Sequence, residues 1–204
     1  MMTINVPIAR PLVRLSDWLL EYGTVRNVIL SGPVLHIHRT RIVITSSRDP
    51  SIRTRNFLNI LTSLLPDSVK ITRGKKSKKE IFERAINLGA IYLLFVLAKN
   101  GNPLRIIVYD LETFSIKYFF KLHGLSLPSD YNIPLYQIKR HNSVCIELNR
   151  CDFLRDFLVD MNIYNLSNNC EVIVNTRLVS NNICELLFTL STKNIKFLKM
   201  LLEV

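Results

Sequence analysis

The sequence predicts an α/β protein: a two-layer mixed sheet with helices packed on it. Three observations predict it. Between residues 41 and 112, apolar runs of strand length alternate with segments whose apolar residues recur at helical spacing. Two later runs follow each other across a tight turn, which makes part of the sheet antiparallel. Of the 204 residues, 48% are apolar, enough to bury a sizeable core.

The elements follow in order. Residues 1–40 hold three of the eight prolines, Pro7, Pro11 and Pro33. Ser16–Gly23 reads as one short helix, capped by the serine and stopped by the glycine. The segment is expected to pack as a peripheral extension or to be partly disordered; with no Met between Met2 and Met161, a misassigned start codon is a further explanation for it. "RIVITSS" (41–47) predicts a strand. Asp49 is the expected N-cap of the next helix, with Pro50 at its first position. That helix runs to Leu65, with Phe57, Leu58, Ile60, Leu61, Leu64 and Leu65 as its buried stripe. "SVKIT" (68–72) is a second strand and "RGKKSKK" (73–79) a basic loop. Ser77 and Glu80 have capping-box spacing and open a second helix that stops at Gly89. "IYLLFVL" (91–97) and "LRIIVYDL" (104–111) are strands joined by "KNGNP".

The remainder is similar in kind. "TFSIKYFF" (113–120) reads as a strand, and 121–142 as a long connection with Pro128 and Pro134. "SVCIEL" (143–148) is a strand, and Asn149 caps a helix over 150–163. "CEVIVNT" (170–176) and "ICELLFTL" (183–190) are strands; "KNIKFLKMLLEV" (193–204) is a last helix. No exact internal repeat is visible, but two successive α/β halves of comparable size are.

Several function classes find no support. The longest apolar run, "AIYLLFVLA" (90–98), is far short of the roughly 20 residues of a membrane helix. Cys145, Cys151, Cys170 and Cys184 have no C-x-x-C spacing. They read as free, buried apolar residues in a reducing, cytoplasmic compartment, since no secretory signal is present. His36 and His38 form a possible metal pair on a strand, but no third ligand is apparent; neither a metal nor any other cofactor is expected. The loop at Gly74 lacks the P-loop glycine, since Val69 stands five residues before it. Neither G-x-S-x-G nor H-E-x-x-H occurs, so catalysis is not expected.

Charge is the informative feature. Lys and Arg number 27 against 16 Asp and Glu, a formal charge of +11. Such an excess suits a polyanion, an acidic protein or an anionic membrane face. Residues 48–79 hold nine bases and two acids, leaving 18 bases and 14 acids for the other 172 residues. If the first two strands are parallel, both strand-to-helix joins open on one edge of the sheet. Two helix N-termini then face outward there, where phosphate is favoured. Arg48, Arg53 and Arg55 would ring the first, and Arg73, Lys75, Lys76, Lys78 and Lys79 the second. Ser46, Ser47, Ser51, Thr54 and Ser77 supply hydroxyls. The plain alternatives are a solvated lysine loop, caps at Asp49 and Ser77 that use up the N–H groups, and a local ion pair for Arg55.

"ITSSRDPSIRTRNFLNIL", "SVKITRGKKSKKEIFERAINLGA" and "NGNPLRIIVYDL" resemble the Brix-domain family of ribosome-biogenesis proteins. They are most similar to its short, stand-alone archaeal members. The resemblance is close over 41–112 and weaker over 113–190; residues 1–40 lie outside it. It implies one domain over 41–204, with pseudo-symmetric halves at 41–112 and 113–204. Each half would be similar to the anticodon-binding domain of class IIa aminoacyl-tRNA synthetases. It also implies non-catalytic binding to ribosomal RNA or pre-rRNA, alongside other ribosome-assembly proteins. The family's RNA-facing pattern falls on Ser47, Arg48, Pro50, Ser51, Arg53, Thr54, Arg55, Arg73, Gly74 and Lys75. The dense lysines at 75–79 and the Asn-rich C-terminal half depart from that pattern. A stand-alone tRNA-binding or ribosomal protein, and a protein–protein adaptor with a basic face, remain the alternatives.

Overall fold

The computed structural model describes residues 40–134, 143–163 and 170–203. In chain order the elements are β1 (Ile42–Ser46), α1 (Ile52–Leu64), β2 (Ser68–Lys70), α2 (Lys78–Asn87), β3 (Tyr92–Lys99), β4 (Asn102–Asp110) and β5 (Ser115–Ser126). A 3₁₀ turn at Pro128–Tyr131 follows. Then come β6 (Val144–Leu148), a 3₁₀ turn at Asp152–Leu154, α3 (Arg155–Asp160), β7 (Val172–Ser180), β8 (Ile183–Leu190) and β9 (Ile195–Glu203). The strands form one nine-stranded sheet in the order β2-β1-β3-β4-β5-β9-β8-β7-β6. The expected helix over 16–23, the His36/His38 pair and residues 135–142 of the expected connection lie outside the described residues.

Alternation along β1 decides how many layers there are. Ile42 and Ile44 pack with Phe57, Ile60, Leu61 and Leu64 of α1 and with Leu154, Phe157 and Leu158 around α3. Val43 points the other way, to Ile81 and Ala85 of α2, with Leu93 and Leu111. The β1 end of the sheet therefore carries helices on both faces: three layers, where the sequence pattern predicts two. Covered on both sides, β1 needs no polar face, and all five of its residues are buried.

The helix-start signals are half right. The Ser77–Glu80 capping box forms, with both reciprocal hydrogen bonds present, and Gly89 takes a φ of +71° past the helix end. Asp49 does not cap α1. It sits at φ +49°, outside the extended region an N-cap occupies. Ser51 caps instead, its Oγ accepting from the Thr54 N–H at 3.1 Å.

The second part departs further from expectation. β5 runs on to Ser126, into the expected connection. The expected helix over 150–163 is broken into a 3₁₀ turn and a short α3. Asn149 is responsible locally: its Oδ1 accepts from the Cys151 N–H at 3.0 Å and from the Thr176 hydroxyl at 2.8 Å, a turn geometry that competes with helix. The expected last helix is a strand, β9. It fills the gap between β5 and β8 and hydrogen-bonds to both. A helix there would leave two sheet edges unsatisfied, so tertiary context overrides the local pattern. The cysteines are not free: Cys145 pairs with Cys170 and Cys151 with Cys184, with Cα separations of 5.8 and 6.3 Å. Each pair meets the geometric requirement for a bridge.

A repeat that side-chain identity hides appears in the register. β3 pairs with β4 from Tyr92↔Asp110, and β7 with β8 from Val172↔Leu190. β4 pairs with β5 at Asp110↔Ser115, and β8 with β9 at Leu190↔Ile195. Equivalent positions stand 80 residues apart through both hairpins except beside the β3–β4 and β7–β8 turns, where the bulges fall at different residues. The irregularity between Val108 and Tyr109 recurs between Phe188 and Thr189, and the left-handed Phe114 recurs as Asn194. β1 runs parallel to β3 as β6 does to β7. The two sets meet where β5 pairs antiparallel with β9, with Leu122 opposite Leu202, its own equivalent.

Candidate nucleic-acid interface

β2, β1 and β3 are mutually parallel, so the joins after β1 and β2 do open on one edge. Because α1 and α2 cover opposite faces, the edge is approached by one join from each side.

The first join divides in two. Ser47 still belongs to the sheet: its N–H donates to the Val96 carbonyl at 3.0 Å, and its Oγ accepts from the Ala98 N–H at 3.4 Å. Arg48 follows, exposed. After the left-handed Asp49 the chain turns inward. The Ser51 and Thr54 hydroxyls both donate to the Gly101 carbonyl in the β3–β4 turn, Thr54 at 3.2 Å. Thr54 is fully buried. Arg53 forks onto Asp130 at 3.0 and 2.8 Å and also donates to the Leu125 carbonyl at 2.9 Å. That hydrogen bonding holds Arg53 above its ordinary pKa and Asp130 below its own. Arg55 bends back, its Nε donating to the Pro50 carbonyl at 2.9 Å.

The second join is laid along β1: the Ile71 N–H donates to the Ile44 carbonyl, and the Thr45 hydroxyl to the Ile71 carbonyl, both at 2.9 Å. Gly74 supplies the φ of +54° that turns the loop. The loop closes on itself, the Lys76 N–H donating to the Arg73 carbonyl and Arg73 Nε to the Lys76 carbonyl, both at 3.1 Å. The Arg73 guanidinium lies 5.4 Å over the buried Phe95 ring, with Lys78 Nζ at 6.0 Å from the same ring. Burial first, and then the nearby Arg48 charge, pull the Arg73 pKa below its ordinary value. At the start of α2, Glu80 accepts from the Ser77 N–H at 2.6 Å, so this helix end already carries its own carboxylate. Lys79 reaches Glu83 at 3.9 Å.

The edge thus carries Arg48 and Arg73 together, Arg48 near enough for its charge to act on Arg73, along with Ser47 and the loop residues Lys75, Lys76 and Lys78. Ser51, Arg53 and Thr54 turn away from it into contacts within the fold; Arg55 and Lys79 make local ones. Among the described residues, neither Arg48 nor Arg73 meets a carboxylate. Cations that sense each other's charge at one edge, with no carboxylate on either, suit a polyanion. Sequence reasoning missed Phe95, which seats Arg73 from inside an unbroken apolar strand, and Asp130, which claims Arg53 from 77 residues away; no local signal marks either.

No family model matches the chain. It is 83% identical, over 169 residues, to a probable Brix domain-containing ribosomal biogenesis protein of Saccharolobus solfataricus, covering 83% of this chain and 99% of the relative. The chain belongs to the Brix-domain family. A second Brix relative, from Sulfurisphaera tokodaii, is 38% identical over 77% of this chain and 89% of its own. Two solved structures share the fold. A probable ribosomal biogenesis protein from Aeropyrum pernix K1 has a TM-score of 0.65 at 23% identity, covering 80% of this chain and 95% of its own. Mil, an archaeal Imp4-like protein, has a TM-score of 0.59 at 18% identity, covering 79% and 97%. No helix of this Brix chain's described residues is long and apolar enough to cross a membrane.

Proposed function

We propose that this Brix protein is a non-catalytic, cytoplasmic RNA-binding factor. It would act on precursor rRNA during ribosomal subunit assembly and work beside other assembly proteins. The observation that carries this reading is that the parallel β1 and β2 open their joins on one sheet edge, bringing Arg48 and Arg73 to it with no carboxylate on either among the described residues. Seated on Phe95 and tied by Nε, Arg73 keeps its remaining donors for a phosphate, the bidentate use to which guanidinium is suited. Lys75, Lys76 and Lys78 add point charges along the same path. Ser51, Arg53 and Thr54 belong to the scaffold that fixes the join. The register repeat supports a domain of two halves, and because β5 is the equivalent of β9, the first half runs through β5 and the second begins with β6; residues 1–40 are kept as an extension. It is also compatible with a likeness of each half to anticodon-binding domains.

RNA cross-linked to the protein in its native host and sequenced tests this reading. Precursor rRNA supports it; tRNA, or no RNA, overturns it. In vitro, Arg48→Ala/Arg73→Ala should weaken binding to unrelated RNAs alike. The dependence of log K on log salt should flatten by about one to two, given about 0.7 per phosphate released on a single strand.

A further inference from the structure

The face of the sheet that α2 covers at the β1 end has no described helix over it at the β6 end, and its residues differ there. At the 80-residue spacing, Phe95 becomes Asn175, Leu97 becomes Arg177, Ile116 becomes Lys196 and Phe119 becomes Lys199. These four apolar positions have turned polar and three of them cationic, while Arg105 becomes the acid Glu185 and Ile107 stays apolar as Leu187. A concavity of about 530 Å³ lies over them, rimmed by Tyr131 and Arg150.

Arg150 repeats a feature of the first site. It leaves β6 where Ser47 leaves β1: the Ser47 N–H goes to Val96, and the Arg150 N–H to the Thr176 hydroxyl at 2.8 Å. An arginine therefore stands at the same strand end, one residue nearer the sheet than Arg48. Two acids are close by and already engaged. Glu185 meets Arg177 at 3.2 Å and Lys199 at 3.7 Å; Glu147 accepts from Asn175 at 3.0 Å. Among the described residues Arg150 and Lys196 meet no carboxylate, and Arg177 keeps 67% of its side chain exposed.

We infer that this concavity is a second RNA-binding surface, taking the phosphodiester backbone of a single strand. Arg150, Arg177, Lys196 and Lys199 contact phosphates, and the exposed Tyr131 ring offers a stacking platform for a base. The charge suits a polyanion, and a strand-end arginine is repeated from the first site. An acidic protein segment is the competing occupant. The inference rests on the RNA-binding reading above and adds a second, separable contact.

The test is lysine-acetylation footprinting of the full chain with a 20-nucleotide unstructured RNA, together with salt-dependent binding of Arg150→Ala/Lys196→Ala. Protection of Lys196 and Lys199, with a several-fold loss of affinity and a slope flattened by about one to two, supports the inference. An unchanged melting temperature of the variant ties that loss to the surface rather than to the fold. Protection of Lys75 and Lys76 alone, with the variant binding like the wild type, overturns the inference and leaves the first site standing. Protection of Lys196 by a poly-glutamate peptide but not by RNA makes the face a protein site and overturns it. If no lysine is protected and the wild type does not bind RNA, both readings fall together.

Discussion

The β1–β5 half and the β6–β9 half share a pairing register and almost nothing else. The first is dressed with two helices on opposite faces, and its charge sits in its joins. Among its described residues the second has one short α-helix and two disulfides: one joins the start of β6 to the residues leading into β7, the other ties the β6–α3 join to β8. Backbone pairing tolerates exchange of every side chain as long as the irregularities and left-handed turn positions recur. What holds each half together, and what its surface meets, is free to differ.

That contrast can be broken at the disulfides first. They close loops of 25 and 33 residues, which the loop-entropy model rates at about 3.5 kcal/mol each. Removing both by Cys→Ser replacement should lower the melting temperature by well over about 10 °C, and thiol titration of the native protein should find no free thiol. A full count of thiols in the native protein would erase the proposed difference in stapling.

The next effect lies where the halves are bolted. Asp160, at the end of α3, accepts from Lys117 at 2.8 Å and from the Tyr118 hydroxyl at 2.6 Å, both on β5. Burial pushes its carboxyl up, but these hydrogen bonds outweigh it and hold the pKa below the ordinary value. Asp160→Asn should cost about 1 kcal/mol at neutral pH, since Lys117, 36% exposed, loses its charge partner but keeps the Tyr92 hydroxyl at 3.0 Å. A depressed folded pKa gives stability that is full above the unfolded value of about 3.9 and fades as pH falls through the folded value. Denaturant titrations at pH 7 and pH 3 should therefore show the gap between wild type and variant closing in acid.

Effects of that size and smaller separate scaffold from site in the first join. Ser51→Ala removes the α1 cap and its Gly101 contact, and should cost about 1 kcal/mol by urea titration. Arg53→Ala should cost less than about 1 kcal/mol, because its pair with Asp130 is about a third exposed, and should leave the RNA salt slope unchanged. A flattened slope there would return Arg53 to the site.

The sequence announced the first half well, because its signals are local. The stripe from Phe57 to Leu65, the Ser77–Glu80 box and the two bases-rich joins each lie within a few residues of what they specify. The second half resisted because its determinants are distant. Nothing within "KNIKFLKMLLEV" says that β5 and β8 wait on either side of it, and the spacings of Cys145, Cys151, Cys170 and Cys184 do not reveal partners brought close only by the sheet. The site shows the same divide. Its basic residues were legible as a cluster, but distant Asp130 decides that Arg53 is already in use, as Gly101 does for the Ser51 and Thr54 hydroxyls.

The Leu122–Leu202 pairing also sets a timetable. On a ribosome adding about 5 to 20 residues per second, β9 is made roughly 4 to 16 s after β5, from the 80-residue spacing. Until then the nascent chain ends its sheet on an open β5 edge, flanked by Phe114, Ile116 and Phe119, which stay exposed even in the finished fold. Lys117, Lys121 and His123 interrupt that strand with charge and polarity, the device by which edge strands deter wrong pairing. In the finished sheet Lys121 and His123 both turn to Glu203: the groups that guard the strand while it waits become its link to the strand it was waiting for.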